Sequence, residues 1–262
     1  MTDWASLCRA ATADVQRVLV ELPTRVEREP VVGAGEGGDE TTRIDQAAEE
    51  VVLAHFRGLD DVTIVSEEAG VSGDGRFRVV VDPIDGSLNA KRSIPYFSLS
   101  IAVADGPAIE DVFFGYVHDF GSGEEWTARR GEGAFLNGEP LGPELPKDTI
   151  EILAFEATRT AYVAEKAAAM VGVAHRLRIM GSLALSLCHL AAGRLDGVVS
   201  LKPARSVDVA AGQLLVRERG LAIELPEAPP FTRAPLDLEG RSRIVAAGTD
   251  ELCSRLATAL LA

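Results

Sequence analysis

Val79-Val80-Val81-Asp82-Pro83-Ile84-Asp85-Gly86-Ser87-Leu88-Asn89 is the stretch that decides how this 262-residue chain is read. Three β-branched residues point to a buried strand, and the strand ends in two carboxylates three positions apart. Pro83 fixes the backbone between them, Gly86 lets the chain turn, and Ser87 opens a helical turn. Carboxylates on a rigid strand end can hold hard cations, and the Ile84 carbonyl is a further oxygen donor. Asp-Pro and Asp-Gly alone are ordinary turn dipeptides. Their combination behind three valines points to a site.

Upstream, Val62-Thr63-Ile64-Val65-Ser66-Glu67-Glu68 repeats the arrangement, a short strand ending in two acids. Adjacent residues there point to opposite faces, so only one of them can share a cation with Asp82. Asp45 falls in the first turn of a helix opened by Thr41-Thr42. There it complements the helix dipole and is placed to accept a proton from water. Downstream, Ser206-Val207-Asp208 reads as a serine cap followed by an acid inside the helix start, and Ser182 reads as the cap of a helix over 183–192. Free N–H groups at helix starts bind anions. Three such openings, near Ser87, Ser182 and Ser206, follow strands and can converge on one phosphate.

Composition narrows the class. Forty Asp and Glu against 26 Lys and Arg give a formal charge of −14, and the apolar share of 47% is ordinary for a globular protein. The acidity is uneven. Residues 1–90 carry 18 acids and 8 bases, whereas 170–220 carry 7 bases and 3 acids. An acidic chain argues against a nucleic-acid partner, since phosphate contacts need a basic face. The longest apolar run, 93–104, is too short and too serine-rich to span a bilayer, which argues against a membrane. The N-terminus lacks the features of a signal peptide, and three scattered cysteines (Cys8, Cys188, Cys253) suit a reducing compartment, so a cytoplasmic location is expected.

Periodicity predicts a helix over 3–28, a glycine-rich loop over 33–40, and a helix from Thr41 or Thr42. Short β-branched runs at 62–66, 77–81, 97–104, 111–118, 124–128 and 133–136 predict an antiparallel sheet. The turn-rich segment 138–147 is the expected boundary between an α+β half, 1–142, and an α/β half, 143–262. In the second half, strands at 150–155, 175–180 and 196–201 alternate with helices at 158–171, 183–192 and 207–219. Strands at 221–224 and 243–247 and a helix at 250–261 follow.

Glu67-Glu68, the run from Asp82 to Ser87 with Asn89, and Val207-Asp208-Val209-Ala210-Ala211-Gly212 together resemble the three signatures of the inositol monophosphatase family. That family also contains fructose-1,6-bisphosphatases and archaeal enzymes acting on both substrates. The resemblance runs from Thr42-Arg43-Ile44-Asp45 to about Gly220 and includes the hairpin from Trp126 to Gly138. It implies the layered α-β-α-β-α sandwich of the sugar phosphatase fold, generally as a homodimer. It also implies Mg²⁺-dependent, lithium-sensitive hydrolysis of a small phosphorylated sugar or polyol, inositol 1-phosphate and/or fructose 1,6-bisphosphate. Phosphatases of the same fold for 3′-phosphoadenosine 5′-phosphate or histidinol phosphate are the alternatives.

By that resemblance, Glu67, Asp82 and the Ile84 carbonyl hold one Mg²⁺, and Asp82, Asp85 and Asp208 a second. A third ion is usual beside Glu67, and Mn²⁺ can substitute. Asp45 and Ser87 match the pair that orients and deprotonates the attacking water, with Glu67 at the catalytic centre. Asp85, Gly86, Ser87, Gly181 and Ser182 match the phosphate and sugar contacts.

Several positions depart from the family pattern. Ser87 stands where many members have Thr, and the hydroxyl is retained. The loop before Asp45 lacks the lysine of many members. Val207 and Leu201 replace a tryptophan and a glutamate of inositol phosphatases. Lys202 and Arg205, with Arg176 and Arg178, would suit a second phosphate, which favours fructose 1,6-bisphosphate.

Other readings fit less well. Gly33-Ala34-Gly35-Glu36-Gly37-Gly38 has the spacing of a dinucleotide fingerprint, with Asp60 further on, but no strand is expected before it and its acids would repel a pyrophosphate. A haloacid-dehalogenase-type site needs Asp-x-Asp. The four histidines (His55, His118, His175, His189) show no ligand spacing. A catalytically silent binding protein of this fold would be expected to lose a metal ligand or the water-activating pair, and none is lost.

Overall fold

The computed structural model describes residues 2–36, 40–143, 147–156, 159–228 and 230–262. Its larger sheet has eight strands, built around Phe77–Asp85. That strand pairs antiparallel with Ser98–Ala104 on one side and parallel with Val62–Ser66 on the other. Beyond Ser98–Ala104 follow Val112–Asp119, Glu125–Arg129, Gly133–Leu136 and Glu139–Pro140, each antiparallel to its neighbour. The parallel pair departs from the antiparallel sheet expected from sequence. The chain reverses once into Gly70–Ser72, on the outer edge of Val62–Ser66, and again before Phe77, so the two inner strands point the same way. Both acidic strand ends therefore emerge at one end of the sheet.

A second sheet has Ile150–Glu156 between two parallel neighbours, Ala174–Arg178 and Gly197–Ser200. Val245–Ala247 and Ala222–Glu224 complete it in antiparallel sense. Helices Trp4–Glu21 and Arg43–Ala54 cover the outer face of the large sheet. Leu183–Ala191 and Ser206–Glu218 fill the space between the sheets, and Asp250–Leu261 covers the outer face of the small one. The layers run α-β-α-β-α.

The alternation of the strands explains the layering. Val79 and Val81 face the outer helices while Val80 faces the central ones, and Ile64 and Val65 divide in the same way. With both faces covered, a strand reads as a continuous apolar run. The large sheet ends at Pro140 and the small one begins at Ile150. The two central helices, which follow this junction in sequence, pack on Val65, Val80, Val117 and Trp126 of the large sheet. One core is thus shared across the junction.

Three local expectations are revised. The first helix stops at Glu21 because Pro23 lacks the N–H needed to continue it, and Arg25–Arg28 forms a separate turn. The flanks of the glycine-rich loop are a hairpin, Val31–Ala34 antiparallel to Glu40–Thr42, while residues 37–39 lie outside the described residues. The predicted 158–171 helix is Thr160–Lys166 continued by a 3₁₀ turn to Met170, its first residue lying outside the described ones. Among the described residues no helix is long and apolar enough to cross a membrane.

Candidate active site

The parallel pairing sets Ser66 opposite Val81, so Glu67, just past the end of its strand, comes beside Asp82, which is still in the sheet opposite Ser100. Asp208, in the first turn of Ser206–Glu218, reaches the same point from between the sheets. One carboxylate oxygen from each of Glu67, Asp82 and Asp208 lies within 4.8 Å of the others. Glu68 turns to the other side and accepts a hydrogen bond from Thr41 Oγ1. Glu49, which sequence reasoning missed, fixes this turn. Its Oε1 accepts from Ser66 Oγ (2.5 Å), Ala69 N–H (2.8 Å) and Glu68 N–H (3.2 Å). Its signal was position: Glu49 lies one turn beyond Asp45 on the same helix face.

Crowding carboxylates in a dry place has an electrostatic cost. Burial pushes the Glu67 carboxyl up to about 8; Arg205 opposes the rise, and Asp208 and Glu68 add to it. Asp82 is driven well above its ordinary value by burial, with Glu67, Asp85 and Asp208 adding to the rise. Asp85 is pushed up to about 7 by burial, although the Ser182 hydroxyl counteracts it. Burial also works against the Arg205 guanidinium, but Asp208, Glu67 and Asp82 outweigh it and hold its pKa above the usual arginine range.

Asp85 belongs to the wall between the two sheets. Its Oδ2 accepts from Ser182 Oγ and from Ala184 N–H (2.8 Å). Ser182 also caps its helix as expected, accepting from Leu185 N–H. Gly86 and Gly181 both adopt φ +94°, a conformation open to glycine. A Cβ on Gly86 would lie 3.0 Å from the Gly181 carbonyl, so the two turns touch. Asn89 joins them, its Nδ2 donating to the carbonyls of Tyr96 (2.8 Å) and Met180 (2.7 Å). Behind them sits Glu156, also missed from sequence. It accepts from Gly181 N–H (2.8 Å) and Ser186 Oγ (2.7 Å), and burial raises its pKa. An acid closing the apolar strand Ile150–Glu156 is the same signal that marked Glu67 and Asp82.

Asp45 and Ser87 are not hydrogen-bonded to each other. Asp45 Oδ2 accepts from Thr42 N–H (3.1 Å) and Oγ1 (2.5 Å), with Lys91 Nζ 3.8 Å away. Asp45 Oδ1 is buried and accepts no hydrogen bond. Ser87 Oγ donates to the Ile84 carbonyl at 3.0 Å.

A cavity of about 440 Å³ opens over the cluster. Of the residues singled out from sequence, Glu67, Asp82, Ile84, Asp85, Gly86, Ser87, Gly181, Lys202, Arg205 and Asp208 line it, and Glu156 and Arg241 join them. Asp45 and Ser182 are buried outside its lining. Arg176 and Arg178, expected as substrate contacts, do not reach it. They lie on the strand Ala174–Arg178, where Arg176 pairs with Glu151 (2.9 Å) and Arg178 donates to the Leu177 carbonyl.

Arg205, also expected to face substrate, bonds Glu67 and stands 3.3 Å from Asp208. Ser206 is the first helical residue and not the cap; its hydroxyl donates to the Asp237 carbonyl (2.6 Å), and Asp208 reaches back to the Arg205 N–H (2.7 Å).

Hard oxygen donors gathered in threes and short of compensating charge fit a divalent cation better than a soft metal. Beside a cavity holding Lys202, Arg205 and Arg241, the cluster sets a candidate cation site next to basic groups that can meet an anion. The comparisons agree. Residues 4–261 match the inositol monophosphatase family. A fructose-1,6-bisphosphatase/inositol-1-monophosphatase from Archaeoglobus fulgidus is 32% identical over 248 residues, 94% of this chain and 93% of that one. A protein named Nus factor SuhB, from Pasteurella multocida, is 37% identical over 191 residues, 70% of each chain. The solved inositol monophosphatase-fructose 1,6 bisphosphatase encoded by MJ0109 superposes with a TM-score of 0.86 at 26% identity, covering 98% of this chain and all of that one. The chain belongs to the inositol monophosphatase family, whose members are metal-dependent, and it is a phosphoric monoester hydrolase.

Proposed function

We propose that the enzyme hydrolyses a small phosphorylated sugar or polyol, inositol 1-phosphate and/or fructose 1,6-bisphosphate, with two or three Mg²⁺ ions. The observation that carries this reading is the convergence of Glu67, Asp82 and Asp208 within 4.8 Å on the wall of a cavity also lined by Lys202, Arg205 and Arg241. Glu67, Asp82, Asp85, Asp208 and the Ile84 carbonyl would hold the ions, and Mn²⁺ would replace Mg²⁺. When bound, the ions supply positive charge that a dianionic phosphate monoester needs before a nucleophile can approach it.

The remaining work falls to the chain's own groups. The Gly86 and Ser87 amides and the Gly181 turn hold the phosphate. Ser87 Oγ orients the attacking water, whose proton passes by way of that hydroxyl to Asp45 Oδ1; as the new phosphorus–oxygen bond forms the ester bond breaks, and the departing alkoxide takes a proton from solvent. Lys202 and Arg241 at the cavity wall support a second phosphate on the substrate, and so fructose 1,6-bisphosphate.

The reading also places the enzyme in the cytoplasm as a homodimer without a nucleic-acid partner. Three buried, unpaired cysteines and the −14 charge support the compartment and the absence of nucleic acid. Relative kcat/KM on inositol 1-phosphate, fructose 1,6-bisphosphate, histidinol phosphate and 3′-phosphoadenosine 5′-phosphate in Mg²⁺ tests the substrate. A clear preference for either of the last two would overturn it, and light scattering checks the dimer.

A further inference from the structure

We propose that Arg205 is a resident counter-ion of the carboxylate cluster, so that a divalent cation binds by displacing its guanidinium. The proposal rests on the cation-binding reading of Glu67, Asp82 and Asp208. Arg205 Nη2 bonds Glu67 Oε1 and lies 3.3 Å from Asp208 Oδ1, so it engages two of the three clustered carboxylates. The side chain is only 10% exposed, against 15% for Glu67 and 17% for Asp208. It is therefore part of the site's interior and not a surface base leaning on it. Residue 205 grips Asp208 twice, since its backbone N–H donates to Asp208 Oδ2 at 2.7 Å. The backbone contact can persist while the side chain moves.

The Arg205 guanidinium and a metal ion would compete for the same carboxylate oxygens. A divalent ion on Glu67, or one on Asp208, would stand beside the guanidinium that each of these carboxylates already meets, and like charges repel strongly where water is scarce. Without any cation, one buried and two half-buried carboxylates would face one another and repel. Arg205 relieves that repulsion and competes with the ion that replaces it. The cavity of about 440 Å³ that Arg205 already lines is the space into which the displaced side chain would swing. Loading the site with metal would thus move one positive charge from the carboxylates towards the place where an anionic substrate binds.

The test measures cation affinity without substrate, by calorimetric titration of Mg²⁺ and Mn²⁺ into the chelator-stripped protein. Arg205→Met keeps an unbranched apolar stem and removes the guanidinium and its charge. It is expected to bind the cation more tightly, on the order of tenfold, and to melt at lower temperature than wild type before the cation is added. Arg205→Lys, whose ammonium cannot span two carboxylates as a guanidinium does, is expected to fall between the two. It also serves if the methionine variant does not fold without metal. Affinity unchanged or weakened in both variants would overturn the proposal while leaving the cation-binding reading intact. A wild-type protein that binds neither cation would overturn both.

Discussion

Asp85 Oδ2 accepts the hydroxyl proton of Ser182, a residue 97 positions further along the chain. This bond fastens the end of a strand in the large sheet to the start of a helix in the central layer. Ser182→Ala leaves a buried carboxylate with only the Ala184 amide on that oxygen. Stability should fall by about 1–3 kcal/mol. Because the bond orients a proposed metal ligand, kcat should drop roughly 10–100-fold. Thermal melts and steady-state kinetics on the same preparation check both.

Asp82→Asn removes a carboxylate whose charge is opposed by burial and by three neighbouring acids. Phosphate release should fall by at least about a thousandfold, the scale of losing a group that stabilises charge at the reacting centre. The metal-free variant should melt no lower than wild type, since a neutral amide relieves repulsion. Adding Mg²⁺ should raise the wild-type melting temperature and leave that of the variant unchanged.

Glu49 touches no reacting group, yet it gathers three donors around the turn that carries Glu67. Glu49→Ala should raise the Mg²⁺ concentration for half-maximal activity by roughly 10–100-fold. Full activity should return at saturating metal. A fall in activity that saturating Mg²⁺ does not repair would show that Glu49 acts otherwise.

Arg9 holds Glu125 with paired hydrogen bonds of 2.7 and 2.9 Å, and these lower the Glu125 pKa below 4.5. A lowered carboxylate pKa contributes stability above its unfolded value and loses it as pH falls through the folded one. Arg9 is 56% exposed, so screening limits the contribution to under about 1 kcal/mol. Arg9→Met should therefore melt below wild type at pH 6, with the difference narrowing as pH falls below 4.5 and through the lowered Glu125 pKa. Melting curves across that range decide it.

The sequence disclosed what local chemistry encodes. Val79–Val81 ahead of Asp82, and Ile64–Val65 ahead of Glu67, are strands because both faces are covered, and their acidic ends were visible as breaks in apolar runs. Asp208 showed itself as an acid in a helix start. What stayed hidden depends on direction in space. The basic stretch containing Arg176, Arg178 and Arg205 looks uniform along the chain. Two of its members lie on an edge strand outside the cavity lining, while the third turns inward onto Glu67. The parallel pairing of Val62–Ser66 and Phe77–Asp85 was equally illegible, because alternation of apolar residues carries no sense of strand direction.

The carboxylate cluster joins residues 67 and 82 to residue 208, with most of both sheets lying between them in the chain. During synthesis the first two emerge early, as strand ends without a third partner, and no three-sided cluster exists until the last arrives. Contacts so distant in sequence form late and slowly. Asp208 does not come alone, for Arg205 leaves the ribosome three residues before it and so brings a neutralising charge to the crowding it is about to complete. With Arg205 in the counter-ion part proposed for it, the core would close without waiting for metal, and metal uptake would be a separate, later event.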